Sequence, residues 1–284
     1  MNVLAIDIGG TKVTLAVFED GKMILRETHL TDREGGRDWM LEKTMSVAKG
    51  WASRLHFDRC GIGFGGPVNY AKQRVDKSTH VGGWNDFDFP GFIKPELGIP
   101  AIIDNDANVG ALGEYSFGAG TNADPMFYMT LSTGIGGGII INGSLFRGAD
   151  SFAGEIGHIT VRPNGPECLC GSRGCLERMC SGLWLERDHG KPPKELLQDH
   201  RFVQQYVVDL ALGLKACILF LNPARIVIGG GMSKAGKKLI DPLKAELRQQ
   251  ITSWSASRID VVTACLADDS VLYGALALVD ELEK

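Results

Sequence analysis

The chain lacks the features of an exported or membrane-spanning protein. Met1 leads directly into an apolar strand pattern, so there is no basic segment followed by an apolar core and a cleavage site. No apolar run approaches the roughly 20 residues that cross a bilayer. Lysine and arginine number 30 against 34 acidic residues, and the net charge of −4 gives no basis for general binding to nucleic acid or anionic membranes. We therefore expect a cytoplasmic protein with neither kind of partner.

Cysteine is too sparse and too unevenly placed for a disulfide framework. Of seven cysteines, an odd number, Cys168, Cys170 and Cys175 lie close together in the sequence. Without an export signal, metal binding suits such a cluster better than disulfide pairing. His158 precedes the three cysteines and completes the ligand set of a closed tetrahedral zinc site. Such a site leaves no position open for substrate, so we predict that the zinc is structural.

The first glycine turn matches neither of two common phosphate-binding motifs. Asp7-Ile8-Gly9-Gly10-Thr11-Lys12 follows an apolar strand, but it has neither Gly-x₄-Gly-Lys-Ser/Thr spacing nor Gly-x-Gly-x-x-Gly spacing. Its glycines would let backbone amides approach an anion, with Thr11 and Lys12 as further donors. Asp7 could then lie near Mg²⁺. The alternative interpretation is a plain hairpin turn.

Two more glycine-rich segments follow apolar strands later in the chain. Ser132–Gly138 lies between predicted strands, and it is interpreted either as a second phosphate turn or as a bulged β-turn. Gly229–Gly231 is either a tight turn or a surface for adenine or ribose. Because the β–glycine turn–β unit occurs twice, we predict an internal duplication into two lobes.

The alternation of strands and helices predicts the α/β class, and 284 residues suit about two domains. The predicted strands are 3–7, 13–18, 23–30, 60–64, 100–103, 126–131, 139–141, 144–146, 225–228 and 259–264. The predicted helices lie near 40–55, after Asp104–Asn108 through about 117, at about 202–221, around 242–251 and at 271–282. We interpret 68–98 as rich in loops, and 187–200 is polar and contains prolines.

Polar side chains cluster in two further places. Asp104–Asn108 joins a strand to a helix, where ligands bind in open α/β sheets and where an ionised Asp could accept a hydroxyl proton. The alternative there is helix capping. Glu155 and Glu177 lie near the predicted zinc ligands, and they are either solvated charges or members of one pocket.

These motifs together resemble those of the ROK sugar kinases, in particular the glucokinase-like members. The matching segments are Asp7–Lys12, Asp104–Asn108, Ser132–Gly138, Gly154–His158, Cys168–Glu177 and Gly229–Gly231. The resemblance implies a two-lobed actin-like (ribonuclease-H-like) ATPase fold with a structural zinc site. We expect an N-terminal lobe at 1–117, joined by the C-terminal helix 270–284. The other lobe, 118–269, would carry the zinc loop.

The resemblance also implies a role for individual residues. Asp106 would be the catalytic base. The sugar would be held by Gly66, Asn105, Asp106, Glu155, His158 and Glu177. Zinc would be held by His158, Cys168, Cys170 and Cys175. Mg-ATP would be held by Asp7, Gly9, Gly10, Thr11, Lys12, Thr133, Gly134, Gly136, Gly137, Gly138, Gly229, Gly230 and Gly231.

The expected activity is transfer of the γ-phosphoryl group of Mg-ATP to the 6-OH of glucose. Three segments, Ser78–Trp84, Gly65–Val68 and the short stretch between Trp184 and Phe202, depart from the family pattern and leave the sugar open. N-acetylmannosamine, N-acetylglucosamine, mannose and fructose are the alternatives, and polyphosphate is an alternative donor. Family repressors carry an N-terminal winged helix-turn-helix, for which six residues before Asp7 leave no room. A dimer or tetramer is expected from the family.

Overall fold

The computed structural model describes residues 1–78, 81–251 and 260–283. The chain forms two compact units. Unit 1 comprises Met1–Ser116, Arg147–Phe152 and Asp269–Lys284, and unit 2 comprises Phe117–Phe146 and Ala153–Asp268. Unit 1 therefore contains a short segment, Arg147–Phe152, that sequence reasoning placed elsewhere. The assignment of the two lobes as separate domains stays a prediction.

Strands and helices alternate along much of the chain. The strands are β1 (Asn2–Ile8), β2 (Lys12–Glu19), β3 (Lys22–Leu30), β4 (Arg59–Phe64), β5 (Val68–Asn69), β6 (Arg74–Val75), β7 (Ala101–Asn105), β8 (Met126–Leu131), β9 (Ile135–Ile141), β10 (Ser144–Leu145), β11 (Arg225–Gly229) and β12 (Val261–Thr263). The helices are α1 (Gly36–Ala52), α2 (Phe89–Leu97), α3 (Asp106–Phe117), α4 (Leu176–Cys180), α5 (Gly182–His189), α6 (Pro193–Leu196), α7 (His200–Leu221), α8 (Lys237–Gln250) and α9 (Ser270–Leu278). The prediction of an α/β protein is confirmed.

The main sheets of the two units have the same topology. Unit 1 has the order β3-β2-β1-β4-β7, and unit 2 has the order β10-β9-β8-β11-β12. In each sheet a central strand pairs antiparallel with its hairpin partner and parallel with the strand on its other side. β1 and β4 are almost wholly buried, as expected for strands covered on both faces. The shared topology supports the predicted duplication.

The hairpins follow from local sequence. Asp20 and Gly21 both have positive φ, 46° and 80°, as do Asn142 and Gly143, 53° and 72°. Two consecutive residues with positive φ match the twist of the flanking strands, and Asn-Gly and Asp-Gly adopt this conformation at low cost. The turn at Asn142-Gly143 is therefore determined by its own two residues.

The second glycine turn is shorter than predicted. β9 begins at Ile135, so Gly136, Gly137 and Gly138 are strand residues paired with Thr130, Met129 and Tyr128. A Cβ on Gly137 would lie 2.5 Å from the Phe127 ring and 2.6 Å from the Gly154 carbonyl oxygen. Close packing against neighbouring chain therefore accounts for glycine at this position. The turn itself is Ser132–Gly134.

Helices occur both in the loop-rich stretch 68–98 and in the polar stretch 187–200. α2 lies within 68–98, with Asp88 accepting a hydrogen bond from the Gly91 amide (2.7 Å) and Gly98 ending the helix at φ +71°. An N-cap, a proline in the first turn and a C-terminal glycine are sequence signals for a helix. α6 and the end of α5 lie within 187–200. Ile259 of the predicted strand 259–264, Thr79, His80 and Lys284 lie outside the described residues.

The core of unit 2 is organised around α7. Apolar residues recur along it at helical spacing, and Val203, Tyr206, Leu210 and Leu214 among them are buried. Among the described residues, α7 alone is long and apolar enough to cross a membrane, by length and composition only. Half of its most apolar stretch is buried in the protein, so packing accounts for that composition.

Candidate active site

Acidic residues line the carboxyl ends of the central strands in unit 1. The register of β1, β4 and β7 aligns Asp7 with Gly63 and Gly63 with Asp104. Asp7 is 8% exposed and Asp104 is fully buried. Because these strands are parallel, the residues that follow them, Gly65, Gly66 and the start of α3, lie at the same edge of the sheet.

The start of α3 is fixed by Asn105. Its side-chain oxygen accepts a hydrogen bond from the Ala107 amide (2.9 Å), and its side-chain nitrogen donates to the Gly66 carbonyl oxygen (3.0 Å). Asn105 therefore caps the helix and also ties it to the loop after β4. Both interpretations of this residue, a cap and a member of the site, are compatible with its position.

Asp106 is the first residue of α3 and is half-buried. Its carboxylate lies 3.4 Å from the point where a Cβ of Gly65 would stand. The helix dipole favours a negative charge at this position. The geometry places a carboxylate beside a glycine that leaves space next to it.

A buried ion pair supports this edge, and sequence reasoning missed it. Arg147 donates from Nε to the Asp104 carboxylate (2.6 Å) and from Nη2 to Glu281 (3.0 Å). Its guanidinium lies 3.6 Å from the centre of the Tyr70 ring. Burial raises the pKa of Asp104, while Arg147 opposes that shift. The partners are distant in sequence, so only the tertiary fold reveals this network.

The first glycine turn, after β1, is closed by its own backbone and by the end of β3. The Gly9 amide donates to the Lys12 carbonyl oxygen (2.9 Å), and a Cβ on Gly9 would lie 3.1 Å from that oxygen. The Thr31 hydroxyl donates to the Gly9 carbonyl oxygen (3.1 Å). The Thr11 carbonyl oxygen accepts a hydrogen bond from the Thr31 amide (3.0 Å). The turn is therefore well defined within unit 1.

The second glycine turn, Ser132–Gly134, has its own backbone hydrogen bond from the Ser132 amide to the Gly134 carbonyl oxygen (3.0 Å), and it is also held from outside. Glu177 accepts a hydrogen bond from the Ile135 amide (2.9 Å). The Gly182 amide donates to the Ser132 carbonyl oxygen (2.7 Å), and the Leu183 amide donates to the Thr133 carbonyl oxygen (3.2 Å). These donors and acceptors come from α4 and α5 rather than from the hairpin.

The third glycine segment is explained mainly by packing. A Cβ on Gly229 would lie 2.3 Å from the Tyr128 hydroxyl, and one on Gly230 would lie 2.5 Å from the Leu131 carbonyl oxygen. Gly230 also has φ +81°, which favours glycine. A Cβ on Gly231 would lie 4.0 Å from the Ser132 hydroxyl oxygen, so this position has more room for a ligand than Gly229 or Gly230.

The predicted zinc ligands converge in unit 2. One ligand atom each from His158, Cys168, Cys170 and Cys175 lies within 4.8 Å of all the others. The sulfurs of Cys170 and Cys175 are 3.6 Å apart. Tetrahedral bonds of about 2.3 Å from zinc to sulfur would separate two sulfurs by about 3.8 Å, so the cluster fits the ion.

The loop that carries the cysteines needs its glycines. Gly171 and Gly174 have φ +88° and +62°, and a Cβ on Gly174 would lie 1.6 Å from the Arg162 carbonyl oxygen. The loop ends at Cys175, where α4 begins. These two glycines therefore allow the backbone to fold tightly here.

Glu155 lies beside this cluster. Its carboxylate is 3.8 Å from His158 Nε2. Burial raises the pKa of Glu155, His158 lowers it, and the charge of Glu177 raises it further. The three side chains therefore lie near one another in unit 2, and Glu177 is also bonded to the second glycine turn.

Comparison with known proteins identifies the family. Residues 3–282 match the sequence model of the ROK family. The chain belongs to the ROK family. Its mixed α/β sheets have the actin-like fold of ROK sugar kinases, as predicted.

Three ROK relatives illustrate the similarity. The chain is 31% identical to a glucokinase of Thermotoga maritima, covering 99% of this chain and 98% of the relative. It is 29% identical to an N-acetylmannosamine kinase of Haemophilus influenzae, covering 97% and 94%. A ROK family glucokinase from Streptomyces griseus, solved in complex with glucose and AMPPNP, matches with a TM-score of 0.86 and 27% identity, covering 98% and 99%.

Proposed function

We propose that this protein is an ATP-dependent hexose kinase that phosphorylates the 6-OH of glucose. The position of Asp106 carries the proposal, because a carboxylate at the start of α3 shares a sheet edge with Asp7 and the first glycine turn. The similarity to the Thermotoga maritima glucokinase over nearly all of both chains supports the choice of glucose.

Asp106 is the proposed base. Its carboxylate accepts the proton of the sugar hydroxyl while the hydroxyl oxygen forms a bond to the γ-phosphorus. The bond from that phosphorus to the β,γ-bridging oxygen breaks, and ADP leaves with both electrons of the bond. A positioned base is worth roughly 10²–10⁴-fold in rate. The rest of the rate comes from positioning and from neutralising phosphate charge.

The glycine turns are the proposed phosphate sites. Gly9, Gly10, Thr11 and Lys12 in unit 1, and Thr133 and Gly134 in unit 2, offer backbone amides and short donors suited to an anion. The carboxylate of Asp7 would hold Mg²⁺, which supplies positive charge against the phosphates. Gly136, Gly137 and Gly138 are strand residues, so we assign them a packing role.

The sugar is assigned to Asn105, Asp106 and Gly66 in unit 1 and to Glu155, His158 and Glu177 in unit 2. Carboxylates suit vicinal hydroxyls, and an unpaired polar group costs about 1–3 kcal/mol, so hydroxyl stereochemistry can be distinguished. The similarity to an N-acetylmannosamine kinase supports that sugar as the second candidate.

A sugar panel tests the function. The protein, with Mg-ATP, is assayed for ADP release against glucose, mannose, fructose, N-acetylglucosamine and N-acetylmannosamine, and kcat/KM is compared. We expect glucose to give the highest value, with glucose 6-phosphate as the product. A higher value for N-acetylmannosamine would replace glucose with the second candidate, and release of ADP with no sugar would contradict the proposal.

We also propose that zinc binds His158, Cys168, Cys170 and Cys175 and acts only as a scaffold, because the four ligands fill its coordination. The expected metal content is about one zinc per chain. A thiol reagent should first modify the exposed Cys265. Treatment with a chelator should release the thiols of Cys168, Cys170 and Cys175.

Buried cysteines provide the internal control for this titration. Burial raises the pKa of Cys60 and Cys180, so their thiols should react only after unfolding. An unchanged number of fast-reacting thiols after chelation, or purified protein without zinc, would contradict the zinc assignment.

A further inference from the structure

We propose that Glu177 positions the phosphate turn Ser132–Gly134, so that the zinc loop supports the nucleotide as well as the sugar. The inference rests on the proposed kinase function. In this inference Glu177 has a second role, in addition to the sugar binding proposed for Glu155, His158 and Glu177.

The contact between Glu177 and the turn is direct. The carboxylate accepts the Ile135 amide at 2.9 Å, at the first residue of β9. The same oxygen lies 2.7 Å from the point where a Cβ of Gly134 would stand. Any side chain at Gly134 would therefore displace the carboxylate, and glycine is required for the contact.

Glu177 is itself held firmly. The preceding residue, Leu176, is fully buried, and its amide donates to the Ile159 carbonyl oxygen (2.9 Å). A Cβ on Gly213 of α7 would lie 2.4 Å from the Leu176 side chain, so α4 packs tightly on α7. Cys175, a proposed zinc ligand, begins this segment. The zinc loop and the core of unit 2 thus fix the position of the carboxylate.

The far end of α4 also bonds the turn. After α4, the amides of Gly182 and Leu183 donate to the carbonyl oxygens of Ser132 and Thr133. These bonds orient the peptide groups of the turn, since a carbonyl held on one side directs its neighbouring amides. The short segment Glu177–Leu183 therefore contacts the turn at both ends.

This arrangement divides the amides of the turn by role. The Ile135 amide is occupied by a carboxylate, so an additional anion at that amide would meet a like charge. We assign phosphate binding to the amides of Thr133 and Gly134 and a structural role to that of Ile135. Glu177 is a positioning residue for the nucleotide, because it acts through the turn.

The test measures Mg-ADP binding by calorimetry without sugar, alongside sugar KM. Glu177→Ala should weaken Mg-ADP binding roughly tenfold or more, since a hydrogen bond to a charged acceptor is lost. Glu177→Gln keeps an acceptor for the Ile135 amide and should bind Mg-ADP within about threefold of wild type. Glu155→Ala is the matched control, which should raise sugar KM and leave Mg-ADP affinity unchanged.

A second variant guards against misfolding of Glu177→Ala. Gly134→Ala should weaken Mg-ADP binding in the wild type and should cost less in the Glu177→Ala background, where the carboxylate is gone. Wild-type affinity for Mg-ADP in Glu177→Ala, with a raised sugar KM, would overturn the inference and leave the kinase proposal intact. Failure of the wild type to bind Mg-ADP would overturn both.

Discussion

The two units share a strand order but differ in the residues at the ends of their central strands. In unit 1 the aligned row contains Asp7, Gly63 and Asp104. In unit 2 the corresponding positions of β8 and β11 are Thr130 and Gly229. The same scaffold thus presents carboxylates in one unit and small neutral residues in the other. The proposed base and the proposed Mg²⁺ ligand are both carboxylates of unit 1.

The glycine turns differ in a related way. Each turn has one backbone hydrogen bond of its own, from the Gly9 amide to Lys12 after β1 and from the Ser132 amide to Gly134 after β8. The turn after β1 is also bonded by Thr31, which follows β3. The turn after β8 is bonded instead by Glu177 and by the amides that follow α4. A duplicated hairpin has therefore kept its topology while the residues that support it have changed.

The largest expected effect concerns the acidic edge of unit 1. Asp106→Asn should lower kcat by roughly 10²–10⁴-fold, because the amide cannot accept the hydroxyl proton. Substrate affinities should change little, since the side chain keeps its size. The matched control is Asp38→Asn, at an exposed position on α1, which should retain wild-type kcat. Retention of more than about a tenth of kcat in Asp106→Asn would contradict its role as base.

The next effect concerns the buried pair beneath that edge. Arg147→Met leaves the fully buried Asp104 without its cationic partner and should lower the free energy of unfolding by about 3–5 kcal/mol. Arg173→Met in unit 2 breaks an exposed pair with Glu167 and should cost less than about 1 kcal/mol. Urea denaturation measures both. If Arg147→Met and Arg173→Met lowered the free energy of unfolding equally, unit 1 would not depend on its buried pair.

Much of the fold was predictable because local chemistry determines it. Asn142-Gly143 specifies its turn, and the buried stripe of α7 follows from its periodicity. The cysteine spacing predicted a cluster that the structure brings within bonding distance of one ion. In each case the signal lies in residues that are close in sequence.

The remaining features depend on contacts between distant residues. Arg147 reaches Asp104 and Glu281, and no local pattern indicates either partner. Glycines at 136–138 resembled a ligand turn, yet Gly137 faces Phe127 and Gly154. A glycine required by neighbouring chain and one required by an anion look the same in sequence. Only the packing around each glycine distinguishes the two.

Helix packing gives a smaller difference between the units. In unit 1, a Cβ on Gly274 of α9 would lie 1.7 Å from the Val109 carbonyl oxygen on α3. In unit 2, a Cβ on Gly213 of α7 would lie 2.4 Å from a methyl group of Leu176. The carbonyl oxygen of Val109 can move away from a new methyl group only if the whole helix shifts. The Leu176 side chain can move away by changing its rotamer.

Gly274→Ala should therefore lower the free energy of unfolding by at least about 1–3 kcal/mol. Gly213→Ala should cost less, because the Leu176 side chain can change its rotamer, while both variants gain about 1 kcal/mol in helix propensity. Gly50→Ala in α1, where a Cβ meets open space, controls for propensity alone and should stabilise the protein. Thermal and urea unfolding report all three variants. If Gly213→Ala destabilised the protein as much as Gly274→Ala, the α4–α7 contact would be as rigid as the α3–α9 contact, and the units would not differ in this respect.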